Sequence, residues 1–316
     1  MFAHNIAFVL ILAAPLAAIS PVAAQYPDGH PPVPLVKEGT TIKISTHVYV
    51  IPDELVPVVP NVGIVVGRKA TLVIDPGMGF RNGQAVLREV AKVSRNTELY
   101  LVNTHFHPEH TTGEMAFPAD TKIVRAAAQQ QDVEELGMQW VKRFSKRSPE
   151  FHALLDGVSF RAPTEVFERE KTLDLGGVRV RLIRLGPGHT RGDTVFFVEQ
   201  DRVLFSGDLA MKELFPAFAT PQSSVRTWLT SLDEMDRLQA RTLVPAHGEL
   251  ADPSIIGAYR EYLSALQARV AELKREGKTA DDTAVALRVE FKEKYPKWRQ
   301  PLRVHNAASR VYAEVP

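Results

Sequence analysis

Thr104-His105-Phe106-His107-Pro108-Glu109-His110 places three imidazoles and a carboxylate within six consecutive positions. It follows directly on Leu99-Tyr100-Leu101-Val102, an apolar run that reads as a buried strand. A proline inside the cluster disfavours a helix, so the side chains are expected to fan out from a loop at the strand's end. Imidazole nitrogen and carboxylate oxygen are the donors that suit zinc and similar divalent ions. A chain of 316 residues with only 10 histidines would not be expected to crowd them so densely on a solvated surface. The stretch is therefore read as a metal site.

Composition narrows the rest. A hydrophobic content of 45% over 316 residues supports one large core with appendages. A formal net charge of +1 creates no field favouring nucleic acid or an anionic membrane. There are 0 cysteines, which excludes thiolate ligands, a thiol nucleophile and disulfides. Residues Ile6 to Ile19 form an apolar stretch too short to span a bilayer comfortably, and Val22-Ala23-Ala24 gives a small-residue cleavage pattern. Residues 1–24 are thus read as a signal peptide cleaved after Ala24. This places the protein in the periplasm or outside the cell, with no membrane span in the mature chain. The segment carries no Lys or Arg near its start, and retention as an anchor is the alternative. Residues 25–40 are rich in proline and read as a linker.

From Thr41 onward strands dominate. Val62–Val66 and Thr71–Ile74 flank Gly67-Arg68-Lys69 as a hairpin, and the second ends at Asp75-Pro76-Gly77. Helical spacing follows over Gln84 to Val93, and again over Ala126 to Leu136. Gly137 to Phe160 mixes basic and aromatic residues, and reads either as a lid over a substrate or as an ordinary amphipathic cap. A second β-rich half begins near Thr164, with a hairpin turn at Gly176-Gly177. Its strands end at Gly186-Pro187-Gly188-His189, at Ser206-Gly207-Asp208 and at Pro245-Ala246-His247-Gly248. A helix is expected over Val225 to Leu238. Asp252-Pro253 opens an amphipathic helix that Gly277 stops. Thr279-Ala280-Asp281-Asp282 reads as a capping start for another, and a last helix is expected over Leu302 to Tyr312. The two halves suggest a duplicated β-then-α layout.

Metal-type ligands thus stand at the ends of four separate strands, as in sheets that gather functional groups along one edge. At this point the chain resembles the metallo-β-lactamase-fold hydrolases, whose motif is His-x-His-x-Asp-His followed by a distant His, Asp and His. The matching residues are His105, His107, Glu109 and His110, then His189, Asp208 and His247, with Asp75 as the supporting carboxylate. The resemblance implies a four-layer αββα sandwich of two mixed β-sheets flanked by helices, over residues 41–270. Residues 271–316 would then be a C-terminal helical extension packed on that domain. It also implies two zinc ions per chain, one held by His105, His107 and His189 and the other by Glu109, His110 and His247, with Asp208 bridging. Glu109 and Asp208 are then the catalytic carboxylates.

The departure is Glu109, where the family has Asp. An extra methylene moves the carboxylate by roughly 1.5 Å, which leaves open whether the second metal is retained. Lys212 is a candidate anion-binding residue. Trp140, Met138, Phe215 and Phe218 are candidates for an apolar wall or for core. Arg191-Gly192-Asp193 resembles an adhesion tripeptide and is read as coincidence. The implied function is an exported hydrolase using a metal-bound hydroxide on a small molecule, with β-lactam, lactone, ester and sulfate or phosphate ester all open. The alternatives are an exported metal-binding accessory protein with little turnover and a mononuclear-iron oxidoreductase on the same fold.

Overall fold

The computed structural model describes residues 32–316. The expected signal peptide and the first part of the linker, residues 25–31, lie outside them. The later linker residues run along the first long helix. There Val36 N donates to Asn82 Oδ1 (2.8 Å), Asn82 Nδ2 to the Pro34 carbonyl (2.8 Å), and Gly39 N to Glu89 Oε1 (2.8 Å).

The two β-rich halves form two sheets, except that the first strand of the expected second half, Glu165–Phe167, completes the first sheet. The first has seven strands in chain order: β1 (Ile42–Lys43), β2 (Val48–Ile51), β3 (Val62–Val66), β4 (Ala70–Ile74), β5 (Glu98–Val102), β6 (Lys122–Ala126) and β7 (Glu165–Phe167). It is antiparallel from β1 to β4 and parallel from β4 to β7. The second has five: β8 (Glu170–Asp174), β9 (Arg179–Arg184), β10 (Thr194–Val198), β11 (Val203–Gly207) and β12 (Thr242–Pro245), in the order β12-β11-β10-β9-β8.

The inner strands β3, β4 and β10 read as unbroken apolar runs because both of their faces are covered. Leu72 and Ile74 point inward, to meet Val180, Leu182, Phe196 and Phe205 of the second sheet. Between them, Val73 points outward onto Val86 and Val90 of helix α1 (Gly79–Val93). Behind the second sheet, Val195, Phe197 and Leu204 pack on helices of the second half. The result is helix, sheet, sheet, helix.

The remaining helices are α2 (Pro108–Thr111), α3 (Ala127–Asp132), α4 (Met138–Ser145), α5 (Pro149–Leu155), α6 (Val225–Arg237), α7 (Ser254–Arg275), α8 (Ala280–Lys294) and α9 (Arg303–Glu314). One sequence expectation is corrected here. The His cluster is not all loop, because Pro108 opens a helical turn at its first position. Proline is favoured there, where its missing N–H costs nothing. Side chains of α7, α8 and α9 join one apolar cluster with α6 and the second sheet, so the C-terminal extension is continuous with the core.

Strand direction fixes where function can lie. β9, β11 and β12 run the same way, since β10 is antiparallel to both β9 and β11 while β11 and β12 are parallel. Their carboxyl ends share one edge, as do those of β4 and β5 in the first sheet. Thr194 N donates to the Thr104 carbonyl (2.8 Å) and joins the two sheets at that rim.

Close approach of α1 to the rim depends on glycine. A Cβ on Gly83 would lie 2.0 Å from the Gly113 carbonyl oxygen, whereas one on Gly257 of α7 meets nothing within 4 Å. Gly83→Ala should therefore lose about 1–3 kcal/mol by overpacking, and Gly257→Ala should gain up to about 1 kcal/mol from helix propensity. Thermal melts of the two variants test this: opposite shifts in Tm are expected, and equal shifts would show that α1 does not press on the rim.

Candidate metal centre

Four chain segments meet at the rim. β5 delivers His105, His107, Glu109 and His110, the last two on the first turn of α2. The loop after β9 brings His189. At the end of β11 the register with β12 shifts between Phe205 and Gly207, and Gly207 takes φ +57° with its Cα against Thr104. That irregularity turns Asp208 out of the sheet. His247 follows β12. Ligand atoms of His105, His107 and His189 lie within 4.8 Å of one another, as do those of His105, His110 and Asp208, and those of Glu109, His110 and His247. All seven sequence candidates are thus together, and all but the half-buried His247 are buried. The longer Glu109 still reaches His110 and His247.

Four of the five imidazoles, all but His107, are oriented from behind. Asp75, held at φ 57°, accepts from Thr104 N (2.7 Å) and Thr104 Oγ1 (2.8 Å). Having given its proton to Asp75, Thr104 Oγ1 must accept from His105 Nδ1 (3.1 Å). His110 Nδ1 donates to Asp75 Oδ2 (2.9 Å), His189 Nδ1 to the Ala217 carbonyl (2.6 Å) and His247 Nδ1 to the Val59 carbonyl (2.7 Å). With Nδ1 donating outward, each of these rings turns its Nε2 to the centre. Partners behind a ring that fix its tautomer are the usual support of metal-binding histidines.

This arrangement needs a cation. His105 Nε2 and His189 Nε2 approach His107 Nδ1 at 2.9 Å and 3.3 Å. Asp208 lies 3.4 Å from His189 Nε2 and 3.8 Å from His247 Nε2. The buried atoms His107 Nε2, Glu109 Oε2, His110 Nε2 and Asp208 Oδ1 have no hydrogen-bond partner. Unpaired buried polar atoms are costly, and three of these four lie on atoms that a divalent ion would take; His107 would bind through Nδ1. The donor set is oxygen and imidazole nitrogen without sulfur, which fits zinc among others.

Protonation follows from burial. Burial, then the neighbouring imidazoles, hold His105 and His110 well below the usual histidine range, and likewise His107. They are neutral and ready to bind metal at pH 7. Burial pushes Glu109 up to about 7 and Asp75 up to about 7. Burial also works against ionised Asp208, but the surrounding imidazoles outweigh it and hold that carboxyl well below its ordinary value.

Other candidates separate. Trp140 lies over His107, with ring centroids 4.0 Å apart and planes at 33°. Lys212 Nζ is 2.6 Å from Glu249 Oε2 in an exposed ion pair. Phe215 packs against Tyr262 and Trp298 in the C-terminal core, Phe218 lies against Trp228, and Met138 is exposed. Asp193 of the Arg-Gly-Asp triplet is buried and accepts from Gly188 N, Thr190 N and Thr190 Oγ1, which shapes the His189 loop. Asp53 and Asn61 do the same for the His247 loop. Asp53 accepts from Gly248 N (2.7 Å), and Asn61 Nδ2 donates to the carbonyls of Pro245 and Gly248. Sequence reading missed both; the only signal was Asn61, a polar residue directly before an apolar strand.

The metallo-beta-lactamase superfamily model matches residues 55–247, more than half of the chain. A linear primary-alkylsulfatase of a Pseudomonas species is 25% identical over 208 residues, 56% of this chain and 39% of that protein. A human acyl-coenzyme A thioesterase is 26% identical over 163 residues, 47% of this chain and 57% of that protein. The chain therefore spans less than two thirds of either relative. A solved stereoselective inverting sec-alkylsulfatase from Pseudomonas sp. has the same fold, with a TM-score of 0.67 at 14% identity over 87% of this chain and 50% of that one.

Metal uptake should carry a pH signature. Without metal, Glu109 is protonated below about pH 7, so a metal binding its carboxylate must displace that proton. Affinity at the Glu109, His110, His247 group should fall as pH drops below about 7, by about tenfold per pH unit, and level off above it. Calorimetric zinc titrations across that range test the sign. Glu109→Gln should flatten the slope, and an unchanged slope would remove Glu109 from the ligand set.

Proposed function

The chain belongs to the metallo-beta-lactamase superfamily, and from that premise we propose that it is a metal-dependent hydrolase of small-molecule esters, sulfate and thioesters included. One observation carries the reading: the imidazoles of His105, His110, His189 and His247, each hydrogen-bonded from behind, converge with His107, Glu109 and Asp208 on one volume. His105, His107 and His189 would hold one metal. Glu109, His110 and His247 would hold a second, and Asp208 lies within reach of both groups. Metals bound there supply Lewis acidity and lower the pKa of water towards neutrality.

The chain's own residues then divide the work. Asp208 stays ionised throughout. Glu109 Oε2, unpartnered in the protein, is placed to take a proton from the attacking water and return it to the leaving group. Trp140 covers the His107 face and keeps bulk water from it. No protein nucleophile is required, in keeping with 0 cysteines. Ester substrates come first because the named relatives are a sulfatase and a thioesterase. Export, with cleavage after Ala24, belongs to the same proposal and rests on the composition of residues 1–24.

Metal analysis of the purified protein should return two zinc ions per chain. A screen of aryl sulfate, carboxylic ester, thioester, lactone, phosphodiester and β-lactam reporters should give turnover on at least one ester. His107→Ala should lower that rate by about a thousandfold or more, the loss expected when several kcal/mol of metal stabilisation goes. Glu109→Asp should keep or raise it. One iron per chain with no hydrolysis of any reporter would overturn the reading. Loss of both activity and the second metal in Glu109→Asp would overturn the role given to Glu109.

A further inference from the structure

Among the described residues, His107 is the one metal-type imidazole with no hydrogen bond behind it. Its Nδ1 faces His105 and His189, and its Nε2 is buried and unpaired. A ring so placed needs another kind of support to hold its orientation. Three aromatic rings enclose it. Phe106 lies 4.8 Å away, Trp140 4.0 Å away with planes at 33°, and Phe144 6.4 Å away. Trp140 also meets Phe106 and Phe144 edge-on, at 6.0 Å and 5.8 Å. Phe106 and Phe144 are buried, so the indole is wedged between fixed neighbours and stacked on the imidazole. The stack does for His107 what a carbonyl, carboxylate or hydroxyl oxygen does for the other four rings.

Trp140 stands on one continuous helical run. It passes from α3 through a π-helical turn over Val133–Gly137 into α4. The last residue of α3, Asp132, reaches a second ligand's loop. Asp132 is buried; its Oδ2 accepts from Gly192 N (3.0 Å), and its Oδ1 lies 3.3 Å from Arg191 Nε. Arg191 Nη2 is held in turn by Glu135 Oε2 at 2.6 Å. Both partners of Asp132 belong to the turn that carries His189 and that Asp193 shapes. A Cβ on Gly192 would lie 2.3 Å from the Gln129 Cα, so the backbone of that turn is seated directly on α3. In a regular α-helix, side chains eight residues apart point about 80° away from each other. A π turn closes its hydrogen bonds over five residues and winds more slowly, which brings Asp132 and Trp140 towards one face. Such turns recur at functional sites. This one ends at Gly137, where a Cβ would lie 2.7 Å from the Phe160 ring.

Resting on the metal-dependent hydrolase reading, we propose that Trp140 and Asp132 are positioning residues, and that the helical run from Ala127 to Ser145 sets the affinity of one metal group by holding two of its three ligands. That group is His105, His107 and His189. Trp140 fixes the His107 ring, and Asp132 fixes the turn that bears His189. His110 and His247 of the other group are oriented from different segments, by Asp75 and the Val59 carbonyl.

Calorimetric zinc titration of the full chain tests this without turnover. Wild type should take up two zinc ions in separable steps. Trp140→Leu keeps apolar volume in place and removes the ring face. It should weaken one step by about tenfold, the usual cost of losing a support behind a metal ligand, and leave the other unmoved. Asp132→Ala should weaken the same step. That step must be the one that Glu109→Gln leaves unchanged. Trp140→Phe, which keeps a smaller ring on His107, should lose no more than about threefold there. Melts of the metal-free variants show that each is folded, and the rescue by Phe separates stacking from general damage. Unchanged zinc affinity in Trp140→Leu overturns the proposal, as do equal losses at both steps or a loss confined to the step that Glu109→Gln weakens. Losses on different steps in the Trp140 and Asp132 variants overturn it too. The expected split with no turnover of any ester would sink the hydrolase reading alone. Ester turnover by a protein whose zinc steps are blind to Trp140→Leu would sink this proposal alone, and a wild type that takes up no zinc would sink both.

Discussion

Electron pairs that face one another are the constraint on which this structure turns. His105, His110, His189 and His247 each spend their ring proton outward, on Thr104, Asp75 and the carbonyls of Ala217 and Val59. What they turn inward is Nε2, on rings of which His105 and His110 are held neutral by burial, around the Asp208 carboxyl. In a dry pocket electron pairs left unpaired repel one another. A fold would not build such a set from four distant segments, with four of its rings supported from behind, unless a cation compensated the repulsion.

The two sheets supply the rigidity this requires. Strands that share direction put their carboxyl ends at one rim, and the bulge at Gly207 turns Asp208 out of line at the point where Thr104 leaves room for no side chain. Ligands on strand ends move with the sheet, so their spacing is set by the ladder rather than by loop dynamics. Glu109 and His110 stand instead on a single helical turn, and the longer Glu109 still reaches His110 and His247.

Much of this was legible because the ligands follow apolar runs and are therefore marked by local pattern. The hairpin around Gly67, the helices beginning near Val225, Asp252 and Thr279, and the gathering of His189, Asp208 and His247 with the first cluster could all be read from the chain. The helical turn at Pro108 was misread because proline was taken as a breaker where it is an initiator. The supports were illegible for a different reason. Asn61 meets partners at sequence separations of 184 and 187, and Asp53 one at 195. No local spacing encodes such pairs. Asp193 was set aside as part of a coincidental tripeptide, although a carboxylate beside a Gly-His-Thr turn is well placed to accept that turn's amides.

The C-terminal extension shows how far the support of one ligand reaches. His189 is oriented by the Ala217 carbonyl, and Ser223 Oγ and Ala219 N both donate to the His189 carbonyl. That segment is in turn gripped from the extension. Phe215 N donates to the Arg299 carbonyl and Arg299 N to that of Glu213, while Arg303 donates to the Phe215 carbonyl (3.1 Å) and Arg310 to that of Ser223 (2.9 Å). Glu314 accepts from Ser224 Oγ and the Val225 and Arg226 amides, satisfying donors that the start of α6 would otherwise leave open. Tyr259, Tyr262, Tyr295 and Trp298 then bury the junction. The helices after residue 271 are therefore part of what fixes His189. They are not an appendage to a finished site, because the carbonyl that sets its tautomer lies on a segment they hold in place.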